Sequence, residues 1–333
     1  MTWFTWRQFR TQSWIAVGVL AAAVVALVLT ALHVADLYGE VASCHGNCGQ
    51  VFDDFLGHAK SGASGVVYNV SIYGLYVVPP LIGAFWGAPL VARELESGTH
   101  RLAWNQTVTR TRWLVTKLLL VGGAAMLTTG LLSLVATLAL HHVDHGALIQ
   151  PTLFGVRGIA PVAYAAFAFA LGVAAGAVLR RTVPAMAVTL AVYIAVALTM
   201  ALAVRGHLLP VRTLTAPISG DPGSIHGISI FNHGHMQVWG GADAPNGAWV
   251  ISDTTYTPSG VVFSGPAPTQ FCGDGTGPDT CISWLGTQNL HQSLSYQPVS
   301  HYWPMQWIES GIFLVLALLL GGFSLWWTRR RVS

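Results

Sequence analysis

Residues 91–117 read VARELESGTHRLAWNQTVTRTRWLVTK, a charged stretch set between two long apolar runs. Taken as a helix, Ala92, Leu95, Thr99 and Leu102 recur at i, i+3, i+7 and i+10 and share one face. Arg93, Glu94, Glu96, His100 and Arg101 cover the other side. A short amphipathic helix between two apolar runs must dock on lipid headgroups or on another protein. Anionic lipid surfaces favour uniformly basic faces. The two Glu among these bases favour a protein partner.

Outward from this stretch, apolar runs lie at roughly 14–34, 68–91, 113–140, 158–179, 183–204 and 308–327. Each is long enough to cross about 30 Å of hydrocarbon as a helix. The chain of 333 residues is 53% hydrophobic and 9% charged, with a mean hydropathy of +0.55. A soluble domain carries about 25% charged residues. The expectation is an all-α polytopic membrane protein with six transmembrane helices. Residues 1–13, MTWFTWRQFRTQS, interleave Trp and Phe with Arg7 and Arg10 and predict an interfacial amphipathic helix. The apolar run from Trp14 to Leu32 exceeds a typical signal-peptide core and predicts an uncleaved first span. In the second run, Pro79 and Pro80 remove backbone donors and predict a kink, either a static one or a bend that moves.

Lys and Arg set the orientation. With the N-terminus inside, 12 of the 16 fall on the cytosolic side, leaving Lys60, Arg157, Arg205 and Arg212 outside. Both termini are then cytosolic. The regions read as an interfacial helix at 1–13 and spans one to five within 14–204, with the amphipathic helix at about 92–104 and a small outer loop at 35–67. Residues 205–307 form an extracytoplasmic domain of mixed or irregular structure between spans five and six. The sixth span and a basic tail occupy 308–333. In the large outer loop, GAWVISDT and GVVFSG resemble strands. The aromatic-rich segment NLHQSLSYQPVSHYWPMQWIES resembles an interfacial belt or short helix. All four Cys fall outside, which points to disulfides in an oxidising compartment. Locality favours Cys44–Cys48 and Cys272–Cys281, with pairing between the loops left open.

Several chemistries are disfavoured. No Asp, Glu, Lys or Arg falls in mid-membrane, with Glu309 and His33 at outer ends, which argues against ion-coupled carriers. No phosphate-binding G-x-x-x-x-G-K-[ST] motif is present, and no basic block suits nucleic acid. His141, His142 and His145 cluster in one loop, and His233 and His235 in another. Cys44-His45-x-x-Cys48 also has a ligand-like spacing. Lacking carboxylates at ligand spacing, these read as solvated His beside a disulfide, and no metal site is expected. No Ser/His/Asp arrangement stands out, so no catalytic residues are expected. Gly172-x-x-x-Gly176 is a small-xxx-small pattern with weak weight in so Gly- and Ala-rich a run.

RELESGTHRLAWNQTVTRTRWLVTKLL resembles the type-2 ABC exporter permease family. The matching positions are Glu94, Glu96, Gly98, Thr99, Leu102, Thr109, Arg110 and Lys117. The ending YQPVSHYWPMQWIESGIFL…WWTRRR is similar to actinobacterial members. The resemblance implies a permease subunit in the bacterial cytoplasmic membrane that exports an apolar or amphipathic cargo such as a drug, an antibiotic or a lipid. It implies that the 91–117 loop is a coupling helix docking on a separate ATPase through Arg93, Glu94, Glu96, Gly98, Thr99, His100, Arg101 and Leu102. It further implies two ATPase copies and a second permease chain, identical or different. ATP and Mg would sit on the ATPase, with no cofactor and no enzymatic activity on this chain. The alternative from the residues themselves is a membrane-anchored protein with an outer His/Cys metal-binding or enzymatic domain.

Overall fold

The computed structural model describes residues 2–46, 48–97, 109–144, 146–221, 225–231, 235–273 and 277–331. Six helical segments are long and apolar enough to cross a membrane: Val17–Ser43, Gly62–Glu96, Thr111–Ala139, Ala160–Leu179, Thr182–His207 and Val299–Arg331. They overlie the six apolar runs of the sequence. The chain divides into two compact units, one made of Met1–Arg205 with Trp303–Ser333, the other of Gly206–Tyr302.

The membrane unit opens on one uninterrupted helix, Thr2–Ser43, of 42 residues. At 1.5 Å per residue it runs about 60 Å, twice the hydrocarbon thickness. The separate helix expected at 1–13 is instead continuous with the first span, because no Pro or Gly interrupts the chain before Gly18. The same helix also extends beyond residue 34 into the expected outer loop. There Tyr38 packs edge-on against Phe55 of helix Gly49–Ala59, with centroids 5.4 Å apart. A Cys44–Cys48 disulfide closes the turn between these helices.

The second span has three parts: α-helix Gly62–Ile82, a π-helical segment Gly83–Gly87, and α-helix Ala88–Glu96. The π segment begins just past Pro79 and Pro80, where the ladder has already lost donors. It is packed against the fourth span, Ala160–Leu179, the most enclosed of the six. A Cβ built on Gly172 would stand 2.1 Å from the Gly83 carbonyl oxygen, and one on Gly176 would stand 2.5 Å from that of Ala88. One on Gly87 would meet the Phe169 carbonyl oxygen at 2.5 Å. Gly83-x-x-x-Gly87 and Gly172-x-x-x-Gly176 therefore bring two backbones into direct contact, as small residues do where lipid supplies no hydrophobic drive between helices.

Near the end of the unit that carries the segment between spans three and four, buried polar groups fold the loops onto the helices. The Arg205 guanidinium forks onto the Glu309 carboxylate, Nε to Oε2 and Nη2 to Oε1, both at 2.9 Å. The Tyr164 hydroxyl donates to the same carboxylate. Arg157 Nε donates to Asp144 Oδ2 at 2.7 Å, with both side chains buried. Gln306 donates to the carbonyls of Phe154 and Arg157 and accepts from the amides of Ile159 and Ala160. The buried charges Arg205 and Glu309 of the fifth and sixth candidate spans are thus paired with each other near helix ends, as hydrocarbon favours.

The second unit holds two antiparallel sheets. β1 (Arg212–Pro217) pairs with the central β5 (His291–Gln297), which pairs in turn with β4 (Trp249–Tyr256). β2 (Ile225–Ile230) and β3 (Met236–Gly240) form a hairpin. Helices Thr269–Cys272 and Pro278–Thr287 are joined by the Cys272–Cys281 disulfide. The core gathers Ile218, Met236, Val238, Leu285 and Leu290. β4 begins within GAWVISDT, at Trp249, and runs on to Tyr256, whereas GVVFSG contributes only a bridge from Val262 to Tyr256. Of the segment expected as an interfacial belt or short helix before the sixth span, His291–Gln297 is instead β5, the middle strand, while the aromatic part from Val299 onward is helical. Gln292 and Gln297 of β5 are buried and hydrogen-bonded: Gln292 accepts from the Ala242 amide, and Gln297 donates to the Gly206 and Leu209 carbonyls. The sixth-span helix begins at Tyr302.

Candidate transmission site

The site is the end of the second span, helix Ala88–Glu96, where the charged stretch begins. Pro89 follows just after the π segment, a further missing donor in the same continuous helical span. Ala88 and Ala92 are buried with Ala185 of the fifth span, so small residues let the helix lie close to its neighbours. Val91 is buried in a cluster with Trp113 and Leu114 of the third span. Ser97 ends the helix, its hydroxyl donating back to the Arg93 carbonyl at 2.8 Å. The chain is described again at Thr109, whose hydroxyl caps the next helix by accepting from the Arg112 amide at 3.3 Å.

The two Glu of this helix point in different directions. Glu94 accepts from Lys117 Nζ at 2.5 Å, and the side chains are 13% and 2% exposed. Lys117 Nζ also lies 3.5 Å from the Leu90 carbonyl oxygen and 4.5 Å from the centre of the Trp113 ring. This buried pair ties the helix to the third span. Glu96 is exposed, and its Oε2 accepts from both the amide (3.0 Å) and the hydroxyl (2.8 Å) of Thr182. Thr182 opens the fifth-span helix, whose own N-cap residue Arg181 makes no side-chain capping bond. Glu96 therefore caps that helix from a different span, placing a carboxylate at the positive end of its dipole. One short helix thus grips two others, by an ion pair and by a cap.

Of the residues expected to dock on an ATPase, Arg93, Glu94 and Glu96 are described, and Arg93 is exposed. Glu94 and Glu96 serve inside the chain, at Lys117 and Thr182. Gly98, Thr99, His100, Arg101 and Leu102 lie outside the described residues. The sequence marks Lys117 as a motif position but does not show it as the partner of Glu94, 23 residues away. The signal was present in kind, a lone Lys entering an apolar run, since a charge there needs a counter-ion.

Of the loop His, His142 stacks on Tyr38 with centroids 4.1 Å apart, and His141 lies over His142. His235 Nδ1 lies 3.3 Å from the Ser264 carbonyl oxygen, and His145 and His233 lie outside the described residues. All four Cys are in disulfides, which removes them as thiolate ligands.

Comparison with known families gives one match. The profile of a family described as ABC-2 membrane transporter related covers residues 17–205. The chain belongs to that family. It is a multi-pass membrane protein and a transporter permease subunit, of the kind that associates with ABC ATPases and further permease chains. No curated protein and no solved structure matches it. In this ABC-2-related permease the match takes in spans one to four, the fifth as far as Arg205, and helix Ala88–Glu96 with its partners Lys117 and Thr182, and ends where the unit Gly206–Tyr302 begins.

Proposed function

We propose that the chain is the permease of an ATP-driven exporter for an apolar or amphipathic cargo, a drug, an antibiotic or a lipid-like molecule, in a bacterial cytoplasmic membrane. A separate ATPase, present in two copies, docks on the 91–117 stretch, and a second permease chain completes the pathway. ATP and Mg belong to that partner. The observation that carries this reading is the double grip of helix Ala88–Glu96 on the third and fifth spans. A push on helix Ala88–Glu96 reaches two spans at once through short polar contacts. A driven transporter needs such a two-state element biased from outside. Docking itself then falls to Arg93 and to Gly98–Leu102, while Glu94 and Glu96 transmit.

The test separates docking from transmission. Arg93→Glu with Arg101→Glu is expected to reduce co-purification of the ATPase at least tenfold, as reversal of interfacial charges does. Glu94→Gln is expected to leave co-purification intact while hydrolysis no longer responds to cargo. Unchanged assembly in the first variant together with cargo-stimulated hydrolysis in the second would overturn the proposal.

A further inference from the structure

A groove of about 470 Å³ runs between the third, fourth and sixth spans. Apolar residues line it throughout, among them Val115, Leu119, Gly122, Phe169, Gly322 and Leu325. Within hydrocarbon such a groove holds no water, because nothing in it can satisfy a water's hydrogen bonds. A chain of methylenes fits its chemistry.

One end of the groove is charged. On the third span Val115, Leu119 and Gly122 continue a stripe that starts at Arg112, at i, i+3, i+7 and i+10. On the sixth span Leu325 leads one turn later to Arg329. Arg112 and Arg329 are exposed, and Arg329 Nε donates to Thr111 Oγ1 at 2.8 Å, so the two spans converge at this mouth. That bond uses one of the five N–H donors of a guanidinium. Arg330 and Arg331 follow. The acids of this end, Glu94 and Glu96, are engaged by Lys117 and Thr182. An apolar slot with guanidinium groups at its cytosolic mouth is complementary to a molecule with a hydrocarbon tail and an anionic head.

The geometry points to a binding site for an anionic phospholipid of the surrounding bilayer, its tail in the groove and its phosphate between Arg112 and Arg329. The lipid is a resident cofactor of the permease, filling the seam between three spans that otherwise meet imperfectly. This holds whether or not the transport reading does.

The full chain reconstituted in phosphatidylcholine vesicles, with trace spin-labelled phosphatidylglycerol or phosphatidylcholine, tests it. Electron paramagnetic resonance reads the motionally restricted fraction of label. The wild type is expected to restrict the anionic label well beyond the zwitterionic one. Each of Arg112→Gln and Arg329→Gln is expected to reduce that preference about fivefold, since one basic residue at an anionic surface contributes about that factor. Gly322→Leu fills the groove and is expected to abolish the preference, leaving both labels equally restricted in the lipid shell that any bundle of spans carries. A Cβ at Gly322 meets nothing within 4 Å, so the fold accepts it. Gly311→Leu, equally open but outside the groove, is the size-matched control and is expected to change nothing. Equal restriction of both labels by the wild type, or retained preference in Gly322→Leu, overturns the site. ATP-dependent transfer of the label to the other leaflet by the ATPase-bearing complex makes the lipid a cargo and overturns the resident assignment.

Discussion

At the scale of single residues, the pair Glu94–Lys117 is the most exacting contact of helix Ala88–Glu96. Lys117 is 2% exposed and Glu94 13% exposed, so the ammonium has exchanged nearly all its water for one carboxylate, a carbonyl and the face of Trp113. Removing one partner of such a pair leaves an uncompensated charge, which costs about 3–5 kcal/mol, whereas removing both restores an apolar site at little cost. Glu94→Leu is therefore expected to lower the thermal midpoint of the detergent-solubilised protein more than the double variant Glu94→Leu, Lys117→Met. If the two changes add, the pair is only a surface ion pair and the strut is absent. Glu96 works differently, since its carboxylate is solvated and its value lies in direction: it orients the start of the fifth span.

At the scale of elements, the contact between the second and fourth spans is closer than the sequence suggests. Gly83, Gly87, Gly172 and Gly176 place backbone against backbone, and the π segment sits within that contact. Gly172→Ala puts a methyl 2.1 Å from the Gly83 carbonyl oxygen, so a helix must move; overpacking of this kind costs about 1–3 kcal/mol. Gly74→Ala, in the same second span but with nothing within 4 Å of the new Cβ, is expected to be neutral or stabilising. The difference between their thermal midpoints checks this, and equal midpoints would mean the spans do not touch there. The six spans were legible because hydrocarbon thickness sets their length and composition in the sequence alone. The Gly contact was not, because a small-xxx-small spacing in a run rich in Gly and Ala gives no partner. Of the transmission site, the glutamates and Lys117 were visible as charges beside apolar runs. Helical periodicity assigns a side chain to a face but not to a counter-ion on another span, so Glu94 looked outward in sequence and turns inward in structure. β5 was misjudged for a related reason: its inward positions include Gln292 and Gln297, which hydropathy marks as exposed and hydrogen bonds make buried.

At the scale of the whole molecule, the question is whether the unit Gly206–Tyr302 is a part of the membrane fold or a passenger on it. It has its own core, its own disulfide and its own central strand, and the family match ends before it. The membrane unit, for its part, fastens the two chain ends that lead into it with its own residues. Arg205 closes the fifth span and Glu309 lies in the sixth, and their side chains meet with Tyr164 of the fourth. Gln306 pins residues 154–160 beside them. Since Arg205 and Glu309 touch, the ends left by excising Gly206–Tyr302 are close together, and a Gly/Ser linker of ten residues, with a mean reach of about 18 Å, joins them without strain. The expected outcome is a membrane unit that still inserts, stays monodisperse in detergent and keeps its thermal midpoint within a few degrees. Adding Glu309→Gln to that shortened chain is expected to lower the midpoint sharply, because Arg205 is then buried beside a neutral group that cannot balance it. Aggregation of the shortened chain with Glu309 intact would show that the six spans depend on the unit between the fifth and sixth, and that the ion pair alone does not hold the membrane fold closed.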